Sequence, residues 1–137
     1  VAPGGMLEAL RTSEERYQIR WQRRKGFVRE AIIGQAPVIL AACPQADDLY
    51  QIYNNPLTNW IYKNHRLPFA FLRGIGPTLI PRKIQLIHRL SEPLVPPPLP
   101  TDDKALSDAV DEFHYTICSR MEALMAEALA ATSDPAP

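Results

Sequence analysis

The chain has 137 residues, 46% of them hydrophobic and 22% charged, with 15 basic and 15 acidic side chains. That is enough apolar material for one domain with a modest core, and too much for a disordered segment. A formal net charge of zero argues against a nucleic-acid binder that works by overall charge, and no run of about 18 apolar residues is present to span a membrane as a helix.

The chain starts Val1-Ala2-Pro3-Gly4-Gly5. It has no initiator Met and no signal peptide, and it reads as a strand end running into a tight turn, so the sequence is expected to begin inside a domain. Residues 6–10 follow as a short helix. Tyr17, Ile19 and Trp21 alternate with Gln18 and Arg20, the period of a half-buried strand. After Gly26, the side chains Phe27, Val28, Ala31 and Ile32 recur at helical spacing, and Gly34 sits where such a helix ends. Residues 37–43 are continuously apolar, which predicts a strand buried on both faces; with the preceding elements it makes a βαβ unit with a right-handed crossover.

Residues 47–64 carry Leu49, Ile52, Tyr53, Leu57, Trp60 and Ile61 at helical spacing, with Asp47 or Asp48 as N-cap and Pro56 as a kink or break. Residues 66–82, apolar but rich in Pro and Gly, predict an irregular loop. It is expected either to pack over the sheet, or to lie against a membrane surface or cover an acyl-chain groove. Residues 83–90 alternate as a last strand. Residues 90–100 predict a stiff, extended, Pro-rich linker. From Asp102 onward, Leu106, Val110, Phe113, Ile117, Met121, Leu124 and Met125 fall on one face of a helix opened by acidic residues. Residues 133–137 are expected to fray. Cys43 and Cys118 lack a CxxC spacing or a zinc set and are expected to be reduced, buried thiols.

The expected fold is therefore α/β, a small, mainly parallel sheet flanked by helices. Residues 1–100 form its main body and residues 101–137 a C-terminal amphipathic helix with its tail.

Three segments in order carry a resemblance. The first is Pro3-Gly4-Gly5 with Glu8 three residues later. The second is Arg24-Lys25-Gly26-Phe27 with Ala31 on the following helical turn. The third is Ala36-Pro37-Val38-Ile39-Leu40 leading to Ala46-Asp47-Asp48-Leu49-Tyr50. Together they resemble the later motifs of the phospholipid and glycerol acyltransferase superfamily, in its diacylglycerol acyltransferase-like branch, over roughly residues 2–97. The family's strand motif commonly has a second proline, where this chain has Leu40-Ala41.

The resemblance implies transfer of a fatty acyl group from a thioester, acyl-CoA or acyl carrier protein, to a hydroxyl of a glycerolipid or similar lipid, at the cytoplasmic side of a membrane and with no cofactor or metal. The family's H-x-x-x-x-D pair supplies a general base and its orienting carboxylate. Here Ala70, Pro93 and Ser119 stand five residues after His65, His88 and His114. None completes the pair, so no catalytic residue is assigned to this chain. The pair, with an Arg segment for the acceptor phosphate, is expected in a missing N-terminal half, and the chain alone is expected to be inactive.

By the same resemblance Gly4, Gly5 and Glu8 line the acceptor pocket, with Pro3 before them as a substrate-binding residue and glycine letting a substrate approach the backbone; the residues alone also read as an ordinary tight turn with Glu8 solvated. Arg24, Lys25 and Gly26 join them as substrate-binding residues. Arg16, Arg20, Arg23, Arg24, Lys25 and Arg29 place six basic side chains within fourteen positions. They read either as a seat for an anionic head group or CoA phosphates, or as a solvated face balanced by Glu14, Glu15 and Glu30. Two other readings are a non-catalytic lipid-binding or scaffolding domain, and a hydrolase fragment, which lacks the G-x-S-x-G elbow it needs.

Overall fold

In the computed structural model, residues 1–5, 8, 11–21, 24–53, 55, 60, 64 and 71–133 are described. Their contacts group into two units. One comprises Val1–Pro3, Trp21–Ala42 and His88–Pro137; the other comprises Gly4–Arg20 and Cys43–Ile87.

The first unit is built on two helices. Helix α1, Gly26–Ile33, buries Val28, Ala31 and Ile32, as the spacing predicts. Its end is a Schellman turn. Ala36 N–H reaches the Ala31 carbonyl at 2.9 Å and Gln35 N–H the Ile32 carbonyl at 3.2 Å. Gly34 is the C-cap, as expected, and the left-handed residue is Gln35 (φ 48), one position beyond it. Gln35 Nε2 also donates to the Ile32 carbonyl at 2.8 Å and the Pro97 carbonyl at 2.9 Å, so polar contacts offset the strain that a Cβ brings to that backbone.

Helix α2, Asp103–Ser133, is the predicted C-terminal helix. Asp102 caps it by accepting Ala105 N–H at 2.8 Å. Its inward face presents Val110, Phe113, Ile117, Met121, Leu124, Met125 and Ala128, and α1 packs on it. Trp21 meets Phe27 edge to face at 5.8 Å, and Phe27 in turn meets His114 at 6.3 Å. His114 is buried; that burial, with the Lys25 charge nearby, holds its pKa below the usual value. Cys118 Sγ stands 3.7 Å from His114 Nε2, and burial with Glu122 pushes the thiol's pKa up. Both cysteines are free and half-buried.

Among the described residues the expected mainly parallel sheet is not formed. The pairs present are antiparallel and short: β1 (Ala41–Ala42) with β4 (Arg89–Leu90), and, in the second unit, β2 (Gln51–Tyr53) with β3 (Phe71–Arg73). Residues 37–43 are not buried on both faces. Leu40 and Ala42 point inward while Ile39 is exposed, which is one-sided burial over a helix rather than a strand between two layers. Their partner is the segment read as a Pro-rich linker. Val38 and Leu94 exchange backbone bonds at 2.9 and 2.8 Å, and Ser91 N–H reaches the Leu40 carbonyl at 2.9 Å. Prolines fit there because only alternate N–H groups of an edge strand are needed.

Buried Ser91 closes this ladder. Its Oγ accepts Leu40 N–H at 2.9 Å and donates to the Glu92 carbonyl at 2.8 Å. Ser91→Ala strands the Leu40 donor in a dry site and is expected to lower unfolding free energy by about 1–2 kcal/mol. Urea denaturation followed by helical circular dichroism measures this, and an unchanged midpoint would show that the hydroxyl does not hold the ladder.

Nor are residues 17–21 a strand. Tyr17 sits in the left-handed region (φ 65), its N–H goes to Asp47 Oδ2 at 2.8 Å, and Arg20 N–H goes to Glu8 Oε1 at 3.4 Å. Carboxylates occupy donors that a strand neighbour would need, so the βαβ unit loses its first strand. Residues 47–64 are not one helix. A 3-10 helix, Pro44–Asp48, is followed by β2, and residues 54, 56–59 and 61–63 of that expectation lie outside the described residues. So do residues 66–70 of the loop, 6, 7, 9 and 10 of the first helix, and 134–137 of the tail. Of the strand expected at 83–90, only β4 forms.

Candidate functional site

Pro3 and Gly4 form a turn, and Gly5 opens a helical segment with φ 54. Gly4 is buried, and a Cβ built on it would overlap the Glu8 side chain. The P-G-G-x-x-E spacing is thus a packing rule: one helical turn brings Glu8 back over Gly4, where only hydrogen fits.

Glu8 is then fixed by its surroundings within the second unit. Arg11 Nη1 lies 3.6 Å from Glu8 Oε1, and Arg20 N–H points to the same oxygen. Arg11 is the hub. Its Nη2 donates to both oxygens of Asp47 at 2.6 and 2.5 Å, and its Nη1 donates to the Gln18 carbonyl at 2.7 Å. The two side chains are only 12% and 16% exposed, so this is a largely desolvated pair in which one guanidinium nitrogen bridges both carboxylate oxygens, while the other reaches Gln18. Asp47 is a ligand of Arg11 and Tyr17 N–H rather than a helix cap.

Asp48 pairs with Arg16 at 3.1 Å. Burial works to raise the Glu15 carboxyl, but Arg20 and the Thr12 N–H and hydroxyl outweigh it and hold the pKa below the usual value. A small cleft of about 60 Å³ lies among Arg11, Thr12, Ser13, Arg16, Asp47 and Tyr50, room for water rather than for a lipid.

The remaining predicted residues belong to the first unit. Arg24 Nη1 donates to the Pro3 carbonyl at 2.9 Å, and Lys25 Nζ pairs with Asp111 at 2.5 Å. Gly26 is the exposed first residue of α1, with no atom near the position of a Cβ. Of the basic run, Arg16, Arg20, Lys25 and Arg29 each stand beside a carboxylate, while Arg23 lies outside the described residues. An apolar groove of about 550 Å³ in this unit is lined by Trp21, Phe27, Ala31, Val38, Leu40 and Met121, within the size range of small-molecule sites.

Arg11 and Ser91 were not legible as functional neighbours: their partners lie 36 and 51 residues away, with no local pattern to mark them. Of the histidines, His88 is exposed, His114 is buried in the helix pair and His65 lies outside the described residues. Among the described residues no three His, Cys, Asp or Glu side chains gather as a metal set, and no helix is long and apolar enough to cross a membrane.

A family model described as diacylglycerol acyltransferase matches residues 1–131. The chain is similar to a Mus musculus protein described as a DGAT1/2-independent enzyme synthesizing storage lipids, with 31% identity over 113 residues, 82% of this chain and 31% of that protein. A Homo sapiens protein of the same description is 35% identical over 78 residues, 56% of this chain and 24% of its own. A 2-acylglycerol O-acyltransferase 1 of Mus musculus is 27% identical over 135 residues, covering 90% of this chain and 40% of that protein. The chain therefore spans about a third of the length of the curated relatives it matches. No solved structure matches it.

Proposed function

This chain belongs to the diacylglycerol acyltransferase family, and from that membership we propose that it forms the acceptor side of an enzyme that moves a fatty acyl group from an acyl thioester to a hydroxyl of a glycerolipid. In the reaction the acceptor oxygen bonds to the thioester carbonyl carbon, the C–S bond breaks, and the acceptor's proton leaves by way of a general base to the departing thiol. None of His65, His88 and His114 is followed at the family's spacing by Asp, so the base comes from sequence outside these residues. The chain's own part is to receive the acceptor. Gly4 seats the Glu8 side chain, the half-buried Gly5 backbone beside it allows close approach, and the Glu8 carboxylate accepts a hydrogen bond from a glycerol hydroxyl.

The observation that carries this reading is the closure of Glu8 over Gly4 within a family match running through residues 1–131. The test uses the full-length parent with an acyl-CoA and a mono- or diacylglycerol. Glu8→Gln is expected to lower kcat/KM for the acceptor about tenfold or more, with KM for the acyl donor unchanged. Residues 1–137 alone are expected to give no turnover. Parental rates in the variant, or turnover by the chain alone, would sink the proposal.

A further inference from the structure

Residues 74–81 read Gly-Ile-Gly-Pro-Thr-Leu-Ile-Pro. Apolar side chains at this density normally fold inward, yet Ile75 is 52% exposed, Leu79 70% and Ile80 61%. Their exposure is built in. Gly74 N–H donates to the Thr78 carbonyl and Ile75 N–H to the Ile80 carbonyl, both at 2.8 Å, and Thr78 N–H donates to the Ile75 carbonyl at 3.2 Å. Arg73 Nε and the Thr78 hydroxyl take two more carbonyls, those of Gly76 and Ile75, at 2.6 and 2.7 Å. Arg82 N–H ties the base of the loop to the Leu49 carbonyl at 3.0 Å. Two glycines make this closure possible. Gly76 turns the chain at φ 57, and Gly74 sits where a Cβ would overlap the Ile80 carbonyl. The loop therefore satisfies much of its own backbone while turning its apolar side chains outward.

The charges around it are one-sided. Residues 71–87 contain Arg73, Arg82 and Lys83 and no Asp or Glu, in a chain that is neutral overall. Arg73 and Phe71 lie on the same face of β3, by the alternation of a strand, and both are exposed.

We propose that this loop docks on an anionic lipid bilayer, with Ile75, Leu79 and Ile80 entering the headgroup layer inside a basic collar. Backbone entering a bilayer must have its hydrogen bonds satisfied within the protein, and this loop meets much of that requirement. Lys and Arg beside an apolar tip are drawn to an anionic leaflet. A second copy of the chain fits less well, because two basic collars would face each other. The proposal stands apart from the acyl-transfer reading, since it rests on residues outside the Gly4–Glu8 site.

The experiment is flotation of the 137-residue chain with vesicles of phosphatidylcholine alone, or with about 30% phosphatidylserine added, at low and high salt. The chain is expected to rise with the anionic vesicles at low salt and to do so much less on neutral ones. Leu79→Ser combined with Ile80→Ser is expected to cut the bound fraction about tenfold, and Lys83→Glu about fivefold. All the variants are expected to keep wild-type helical circular dichroism, because the substituted side chains are exposed. Failure of the wild-type chain to float with either vesicle, or equal flotation of the double-serine variant, would overturn the proposal. A dimer in sedimentation that the double-serine change dissociates would also overturn it, by assigning the face to a second copy.

Discussion

Ile117→Ala is expected to remove about 3 kcal/mol of unfolding free energy. Ile117 is fully buried on the inward face of α2, as are Ile32 and Val28 on α1. Truncating it removes three methyl or methylene groups and leaves a cavity between helices too rigid to close over it. A domain of this size holds about 5–15 kcal/mol in all, so one side chain accounts for a large share. Urea denaturation followed at the helical circular dichroism band measures the loss. Tyr115→Ala, two residues away and exposed, is the control and is expected to change stability by less than about 0.5 kcal/mol. Equal costs at the two positions would mean that the inward face of α2 is not where the core lies.

Asp47→Ala is expected to be comparably damaging, at about 3–5 kcal/mol, for a different reason. The substitution leaves the Arg11 guanidinium largely out of water with only the longer Glu8 contact, at 3.6 Å, as countercharge, and also frees Tyr17 N–H, which Asp47 holds at 2.8 Å. The cost is the desolvation of a charge that has lost its two short hydrogen bonds rather than the worth of the pair. Arg11→Ala with Asp47→Ala is therefore expected to cost clearly less than the two single changes added together. Strict additivity in that double-mutant cycle would show that the two groups do not depend on each other. Because Arg11 also lies beside Glu8, Asp47→Ala in the full-length parent tests whether holding Glu8 matters for the acceptor.

The helices were legible because their information is local. Val28, Ala31 and Ile32 repeat at helical spacing, as do Val110, Phe113, Ile117, Met121 and Leu124, and burial follows the period. The strands were not, because a strand's identity lies in its partner. Tyr17, Ile19 and Trp21 alternate as a strand would, but their stretch gives its N–H groups to Asp47 and Glu8. Residues 37–43 carry apolar side chains throughout, but only Leu40 and Ala42 turn inward while Ile39 is exposed, and the partners at Ser91 and Leu94 lie about fifty residues on. The prolines at 93 and 96 to 98 masked an edge strand as a linker. At the candidate site, the P-G-G-x-x-E spacing marked the turn, but the packing of Glu8 over Gly4 was not read from it. Nor was the Arg11–Asp47 pair that steadies it, since nothing in the intervening residues encodes their meeting.

The pairing of β1 with β4, and of α1 with α2, also sets an order of events during synthesis. Helix α1 is made before α2, yet side chains that cover Val28 and Ile32 lie in that later helix, which begins only at Asp103. Helix α1 lacks that cover while residues 43–87 are made. Until α2 leaves the ribosome, the apolar stripe of α1 is a natural point of call for a chaperone, and a pause in translation within residues 43–87 prolongs the exposure.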